Sequence, residues 1–168
     1  MESKMTHRDL CSIAAKWLLR HDENTTIPNC PLVLKEVDCA SGYGEIPDVI
    51  GFGSGTSVLI EVKVSYEDFI ADKLKPFRVD KEEGMGCYRY ILAPTNVIQK
   101  ILDEEGFEFS SDYGWGFLEF DGSKIKIINR SSDMTEKTSF MAEKAILLSV
   151  LRRNKINGIQ TTGELNEH

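Results

Sequence analysis

The run Thr56–Val64, TSVLIEVKV, constrains this chain more than any other stretch. From Val58 to Val64 every residue is apolar except Glu61 and Lys63. In a strand, residues two apart share a face. Glu61 and Lys63 therefore point one way, while Ile60, Val62 and Val64 point the other way into a core. A strand this apolar belongs in the middle of a sheet covered on both faces. A carboxylate and an ammonium placed there cost desolvation energy unless they meet a partner or a metal.

The preceding run, Ile46–Phe52 (IPDVIGF), carries Asp48 and is joined to the first through Gly53-Ser54-Gly55. A short glycine-rich link between two such runs is a hairpin signal. An antiparallel hairpin brings Asp48 beside Glu61. Two carboxylates brought together repel, and a divalent cation resolves the repulsion. Asp48, Glu61 and Lys63 are the candidate site on these grounds.

The rest of the chain is read as a frame for that hairpin. Its 168 residues suit one domain over residues 1–155, with a polar tail over 156–168. Thr6–Leu19 reads as a helix capped by Thr6 with Asp9 three residues on, with Leu10, Ile13, Ala14, Trp17 and Leu18 as its apolar stripe. Strands are expected at Leu32–Val37, Ile46–Phe52, Thr56–Val64 and Cys87–Ala93. Ser65 caps a short helix through about Leu74, stopped by Pro76, and Arg78–Gly86 is a charged loop. Thr95 caps a helix over Asn96–Leu102, and the acidic Asp103–Gly114 reads as a loop. Trp115–Phe120 and Lys124–Asn129 pair across Asp121-Gly122. Glu136–Asn154 is the last helix, with Phe140, Met141, Lys144, Leu147, Leu148 and Leu151 on one face. The order predicts an α/β (α+β) domain: a mixed β-sheet flanked by helices.

Composition excludes several classes. No apolar run approaches a membrane span, and the N-terminal residues lack a signal-peptide core, so a cytoplasmic protein is expected. The four cysteines form no C-x-x-C pair and the three histidines give no zinc spacing, so reduced, partly buried thiols are expected. A net charge of −7 argues against binding nucleic acid through bulk electrostatics, though not against a local basic groove.

Pro47-Asp48, followed after twelve intervening residues by Glu61-Val62-Lys63, resembles the PD-(D/E)XK nuclease superfamily. The strings EVKVSYEDF, Asp72-Lys73, CYRYILAP and GWGFLEF resemble its MmcB-like and phage-encoded branch, across roughly Glu36 to Phe120. The resemblance implies a restriction-endonuclease-like core: a helix, a three-stranded antiparallel meander, a crossover helix and a parallel strand. It implies a bacterial or phage-encoded enzyme that hydrolyses DNA in repair, recombination or phage biology. Asp48, Glu61 and the Val62 backbone carbonyl would hold Mg²⁺, or Mn²⁺ in its place, and Lys63 would act on the attacking water and the phosphate charge. Glu36 occupies the place of the superfamily's additional upstream acid, with Glu45 and Asp9 as competitors. A possible homodimer or protein partner goes with this reading.

Other residues carry competing readings. Ser65 and Asp68 fit a helix cap first and a supporting site role second. Lys73, Lys75, Arg78 and Lys81 suit phosphate contacts, or a solvated face interleaved with acids. Tyr88, Tyr90 and Trp115 suit base stacking, or packing. Arg152 and Arg153 favourably meet the dipole of the last helix. Against the enzyme stands a nuclease-like fold used as a catalytically weak or inactive module for binding nucleic acid or protein.

Overall fold

A computed structural model of the chain describes residues 5–20, 27–37, 46–73, 75 and 84–154. The described residues form helix α1 (His7–Leu19), strands β1 (Leu32–Lys35), β2 (Val49–Gly53) and β3 (Thr56–Val62), and helix α2 (Tyr66–Lys73). Strand β4 (Tyr88–Pro94), helices α3 (Thr95–Glu105) and α4 (Glu108–Tyr113), strands β5 (Gly116–Phe120) and β6 (Ile125–Asn129), and helix α5 (Phe140–Arg153) follow. The fold is α+β, with one mixed six-stranded sheet in the order β1-β2-β3-β4-β5-β6. β1, β2 and β3 form an antiparallel meander, β3, β4 and β5 run parallel, and β6 returns antiparallel. The expected helix, meander, crossover helix and parallel strand are all present.

Each parallel step needs a connection that crosses the sheet, and helices supply it. Phe69 of α2, Val97, Ile98 and Ile101 of α3 and Phe109 of α4 pack with Ile50, Leu59, Ile91 and Phe117 on one face. Leu10, Cys11, Ala14 and Leu18 of α1 pack with Val49, Val58, Ile60, Val62 and Leu92 on the other. β3 is thus the covered central strand that its composition demands. It ends two residues early, however: Val64 lies past the last pair and is 36% exposed rather than in the core.

The α1 stripe is as expected, with Cys11 added to it, and the Thr6–Asp9 capping box forms. Gly51 lets α1 and the segment before β1 approach β2, since a Cβ there would lie 2.8 Å from Cys30 Cβ and 3.2 Å from Leu18 Cδ1. Cys11, Cys30 and Cys87 are free and buried. The β2–β3 hairpin turns at Ser54-Gly55, where Gly55 takes φ 76°.

Three expectations need correction. Thr95 does not cap the next helix. It is the first helical residue, directly after Pro94 of β4, and no side chain caps that end. Asp103–Gly114 is helical through Glu105 and again over Glu108–Tyr113, despite its acidic composition. Phe109 drives the second helix inward, with its ring 5.4 Å from that of Phe69 and 6.1 Å from that of Trp115. Tertiary packing here overrides local composition.

The last helix also starts later and turns another face inward. A single 3₁₀ turn at Thr135–Lys137 precedes α5, and Ser139 caps α5 through Ala142 N–H. Ala142, Glu143 and Ile146 are buried, while Phe140, Met141 and Leu148 are exposed. The rotation follows from Glu143. Its Oε1 accepts from Ser57 Oγ at 2.6 Å and from Gly86 N–H at 2.8 Å, and these bonds draw a charged residue into the interior. Pro76, Arg78, Lys81, Glu45, Cys39 and the 156–168 tail lie outside the described residues.

Candidate metal centre

The meander brings three acids to one end of the sheet. Lys35 pairs with Val49, and Val49 with Ile60. One step further, the same registers set Glu36 opposite Asp48 and Asp48 opposite Glu61. Two hydrogen bonds close this end: Glu36 N–H donates to the Asp48 carbonyl at 2.8 Å, and Val62 N–H donates to Asp48 Oδ2 at 2.8 Å. Asp48 is therefore fixed from both neighbouring strands, with its remaining carboxylate oxygen left for other partners.

Glu36 stands just past β1 rather than on it. Its φ of 46° is unique among the described non-glycine residues. Such a conformation costs on the order of 1 kcal/mol or more and persists where the surroundings impose it. Here Glu36 N–H is tied to the Asp48 carbonyl.

Glu61 and Lys63 are nearly buried, at 3% and 4% exposure. Lys63 follows the end of β3, where its N–H still donates to Leu92 O of β4 at 2.9 Å. Its ammonium lies 3.0 Å from Asp72 Oδ2 and 3.8 Å from Glu61 Oε2. Asp72 comes from α2, whose start is fixed by Asp68 N–H donating to Ser65 Oγ at 3.1 Å. Ser65 and Asp68 thus do the capping expected of them. Phe69 and Asp72, three apart, share the buried face of α2, so the packing of Phe69 aims Asp72 at the end of β3. Asp72 also pairs with Lys75.

Helix α1 contributes two further groups. The Thr6 cap sets His7 as its first residue, and His7 Nε2 lies 3.2 Å from Asp48 Oδ2. One turn on, Cys11 Sγ lies 3.5 Å from His7 Nδ1. Burial pushes the Cys11 thiol up to about 12, and the negative charges of Asp48, Glu36 and Glu61 push in the same direction. Arg8 Nε, 3.8 Å from Glu36 Oε2 and on a largely exposed side chain, offsets little of that charge.

Asp48, Glu61, Lys63 and Glu36, the four residues singled out from the sequence, thus meet at one end of β1–β3, and Val62 brings its backbone to the same place. His7 and Cys11 join them without having been singled out, and so does Asp72, noted in the sequence only within the Asp72-Lys73 string and given no role there. The spacing H-x-x-x-C on a helix puts two ligand-type side chains on one face, and Phe69-x-x-Asp72 puts an acid beside a core anchor. Both signals were present in the chain. Their partners lie on other elements, so spacing alone does not reveal them.

Several competitors fall away. Asp9 is engaged by the Thr6 cap. Lys73 pairs with half-buried Glu105 and Lys75 with buried Asp72, so both lysines are engaged in ion pairs on a face that is less solvated than expected. Tyr90 and Trp115 are buried in the core, which removes them as stacking platforms. The Tyr88 hydroxyl lies 3.3 Å from Asp133. Arg153, in the last turn of α5, hydrogen-bonds Ser149.

The donors suit a hard divalent cation. Glu36 just past β1, Asp48 just before β2 and Glu61 on β3 lie side by side at one end of the meander, with the Lys63 ammonium 3.8 Å from Glu61 Oε2, and carboxylate oxygen is the donor type that hard divalent cations prefer. No family model matches the chain, and no curated protein matches it. Among solved structures, a protein of unknown function from Silicibacter pomeroyi is similar, with 20% sequence identity and a TM-score of 0.49 over 73% of this chain and 75% of that one. Among the described residues, no helix is long and apolar enough to cross a membrane.

Proposed function

We propose that this protein is a metal-dependent nuclease of the PD-(D/E)XK type that hydrolyses DNA phosphodiester bonds. The observation that carries the reading is the placement of Glu36, Asp48 and Glu61 side by side at one end of the β1–β3 meander, with the Lys63 ammonium 3.8 Å from Glu61 Oε2. Asp48, Glu61, the Val62 carbonyl and Glu36 would hold Mg²⁺ or Mn²⁺. The cation would supply polarisation of the scissile phosphate and a more acidic bound water.

The chain's own residues do the rest. Val62 N–H and His7 hold one Asp48 oxygen in place, which leaves the other for the cation. Glu61 and Asp72 fix the Lys63 ammonium between them. From there its role is to orient the attacking water and to oppose the negative charge that develops on the phosphate oxygens.

The test is cleavage of single-stranded, duplex and branched DNA with Mg²⁺ or Mn²⁺. Activity is expected in the wild type and is expected to vanish in Asp48→Asn with Glu61→Gln. Full Mg²⁺-dependent cleavage by that double variant overturns the site. A second reading draws on the Lys63–Asp72 contact and the net charge of −7. A lysine engaged in a buried ion pair also suits a nuclease-like module that binds nucleic acid or protein without cutting. Absence of metal binding together with absence of cleavage on all substrates favours that module.

A further inference from the structure

The α1 side of this region holds a second set of ligand atoms with a different chemical preference. His7, Cys11 and Glu36 each offer one atom, and these atoms all lie within 4.8 Å of one another. His7 Nε2 lies 3.2 Å from Asp48 Oδ2. In the tautomer that carries its proton on Nε2, that edge of the ring meets the carboxylate and the Nδ1 lone pair is available toward Cys11 Sγ, 3.5 Å away. A carboxylate behind a ligating histidine fixes its orientation and raises its basicity as a ligand.

The separation fits one metal in particular. With Zn–N and Zn–S bonds near 2.05 and 2.3 Å at a tetrahedral angle, nitrogen and sulfur sit about 3.5 Å apart. Nδ1 and Sγ already stand at that spacing. Glu36 is exposed, so its side chain can close the remaining gap. Its backbone is tied to Asp48, and the neighbouring Lys35 Nζ donates to Ser12 of α1 at 2.7 Å, which pins the strand to the helix. The ligands therefore lie on two elements already held together.

We propose that His7 Nδ1, Cys11 Sγ and the Glu36 carboxylate form a site for a thiophilic divalent cation, Zn²⁺ by preference, with a fourth position open to water. Thiolate and imidazole select Zn²⁺ over Mg²⁺, whereas the neighbouring oxygen set selects the reverse. The two sites share Glu36, and Asp48 orients His7 for one while belonging to the other. The thiophilic site stands whether or not the oxygen set cuts DNA.

Co²⁺ tests this as a spectroscopic stand-in for Zn²⁺. Titration of the reduced full-length chain should give one equivalent with visible bands of tetrahedral Co²⁺ and a near-ultraviolet thiolate-to-Co²⁺ charge-transfer band, bleached by one equivalent of Zn²⁺. Cys11→Ser should abolish the charge-transfer band, and Cys30→Ser should leave it intact. His7→Gln, at a half-buried position that tolerates the change, should weaken Zn²⁺ binding at least tenfold by calorimetry. Glu61→Gln should keep the band even where it removes cleavage, which separates this site from the hydrolytic one. Absence of the band in the wild type, its persistence in Cys11→Ser, or unchanged Zn²⁺ affinity in His7→Gln overturns the proposal.

Discussion

Lys63 Nζ and Asp72 Oδ2 stand 3.0 Å apart with both side chains about 5% exposed, joining the end of the central strand to the helix that follows it. A buried pair of this kind adds little net stability over apolar residues of the same shape, but breaking it is costly, at about 3–5 kcal/mol. Asp72→Asn should therefore lower unfolding free energy by an amount in that range, with part of the loss offset by the retained amide. Lys63→Met should cost less than that, since Asp72 keeps its pairing with Lys75. Lys63→Met combined with Asp72→Leu should cost less than the sum of the two single changes. Urea unfolding of the four proteins decides this, and strict additivity would show that the pair is not coupled.

Asp48 has two tasks that substitution can separate. Its Oδ2 accepts from Val62 N–H, and its charge serves the acid cluster. Asp48→Asn keeps an acceptor for the amide and removes the charge, so stability should fall by less than about 1 kcal/mol. Metal-dependent cleavage should drop on the order of 100-fold or more, the scale seen when one electrostatic contributor at a reacting centre is removed. Asp48→Ala should lose activity equally and also cost about 1–3 kcal/mol, because the Val62 amide is left without its partner. Parallel cleavage and denaturation curves check both halves. Equal stability of the two variants would sink the division of roles.

Gly116 of β5 is a test of packing away from the site. A Cβ there would lie 2.4 Å from the Tyr90 ring and 2.6 Å from the Ser131 backbone nitrogen. The ring can shift only against its own packing, and the backbone nitrogen is less free to move. Gly116→Ala should thus destabilise by about 1–3 kcal/mol, the usual cost of overpacking. A thermal melt unchanged from wild type would mean that this part of the sheet yields more easily than its contacts imply.

Period and turn chemistry carried the central part of the fold into the sequence. The near-continuous apolar run Val58–Val62 marked a strand buried on both faces, and Gly53-Ser54-Gly55 set the hairpin that puts Asp48 opposite Glu61. What stayed hidden depended on contacts between distant elements. Glu143 reads as a solvent-facing helical acid until Ser57 and Gly86, nearly sixty or more residues earlier, supply its hydrogen bonds. Asp72 reads as one charge among many until α2 turns it toward Lys63. His7 and Cys11 lie one helical turn apart, yet neither points to a site until β1 and β2 bring Glu36 and Asp48 beneath them. Local pattern specifies which faces are apolar, but a buried polar partner is a property of the packed whole.

Glu143 also makes stability depend on pH in a stated direction. Burial raises its carboxyl above the ordinary value of 4.5, while the Ser57 and Gly86 bonds and the charge of Arg89 oppose that rise. An acid with a raised native value holds its proton more tightly folded than unfolded. As pH rises from about 4.5 through the native value, the unfolded chain releases that proton first, and the contribution of Glu143 to stability is lost over that window. Glu143→Gln cannot ionise and keeps an oxygen to accept from Ser57 and Gly86. The difference in unfolding free energy between wild type and Glu143→Gln should therefore move in favour of the variant as pH increases from 4.5, then level off once Glu143 is ionised in both states. Urea unfolding at closely spaced pH values measures the slope. Parallel curves for the two proteins across the window would show that burial does not raise this carboxyl.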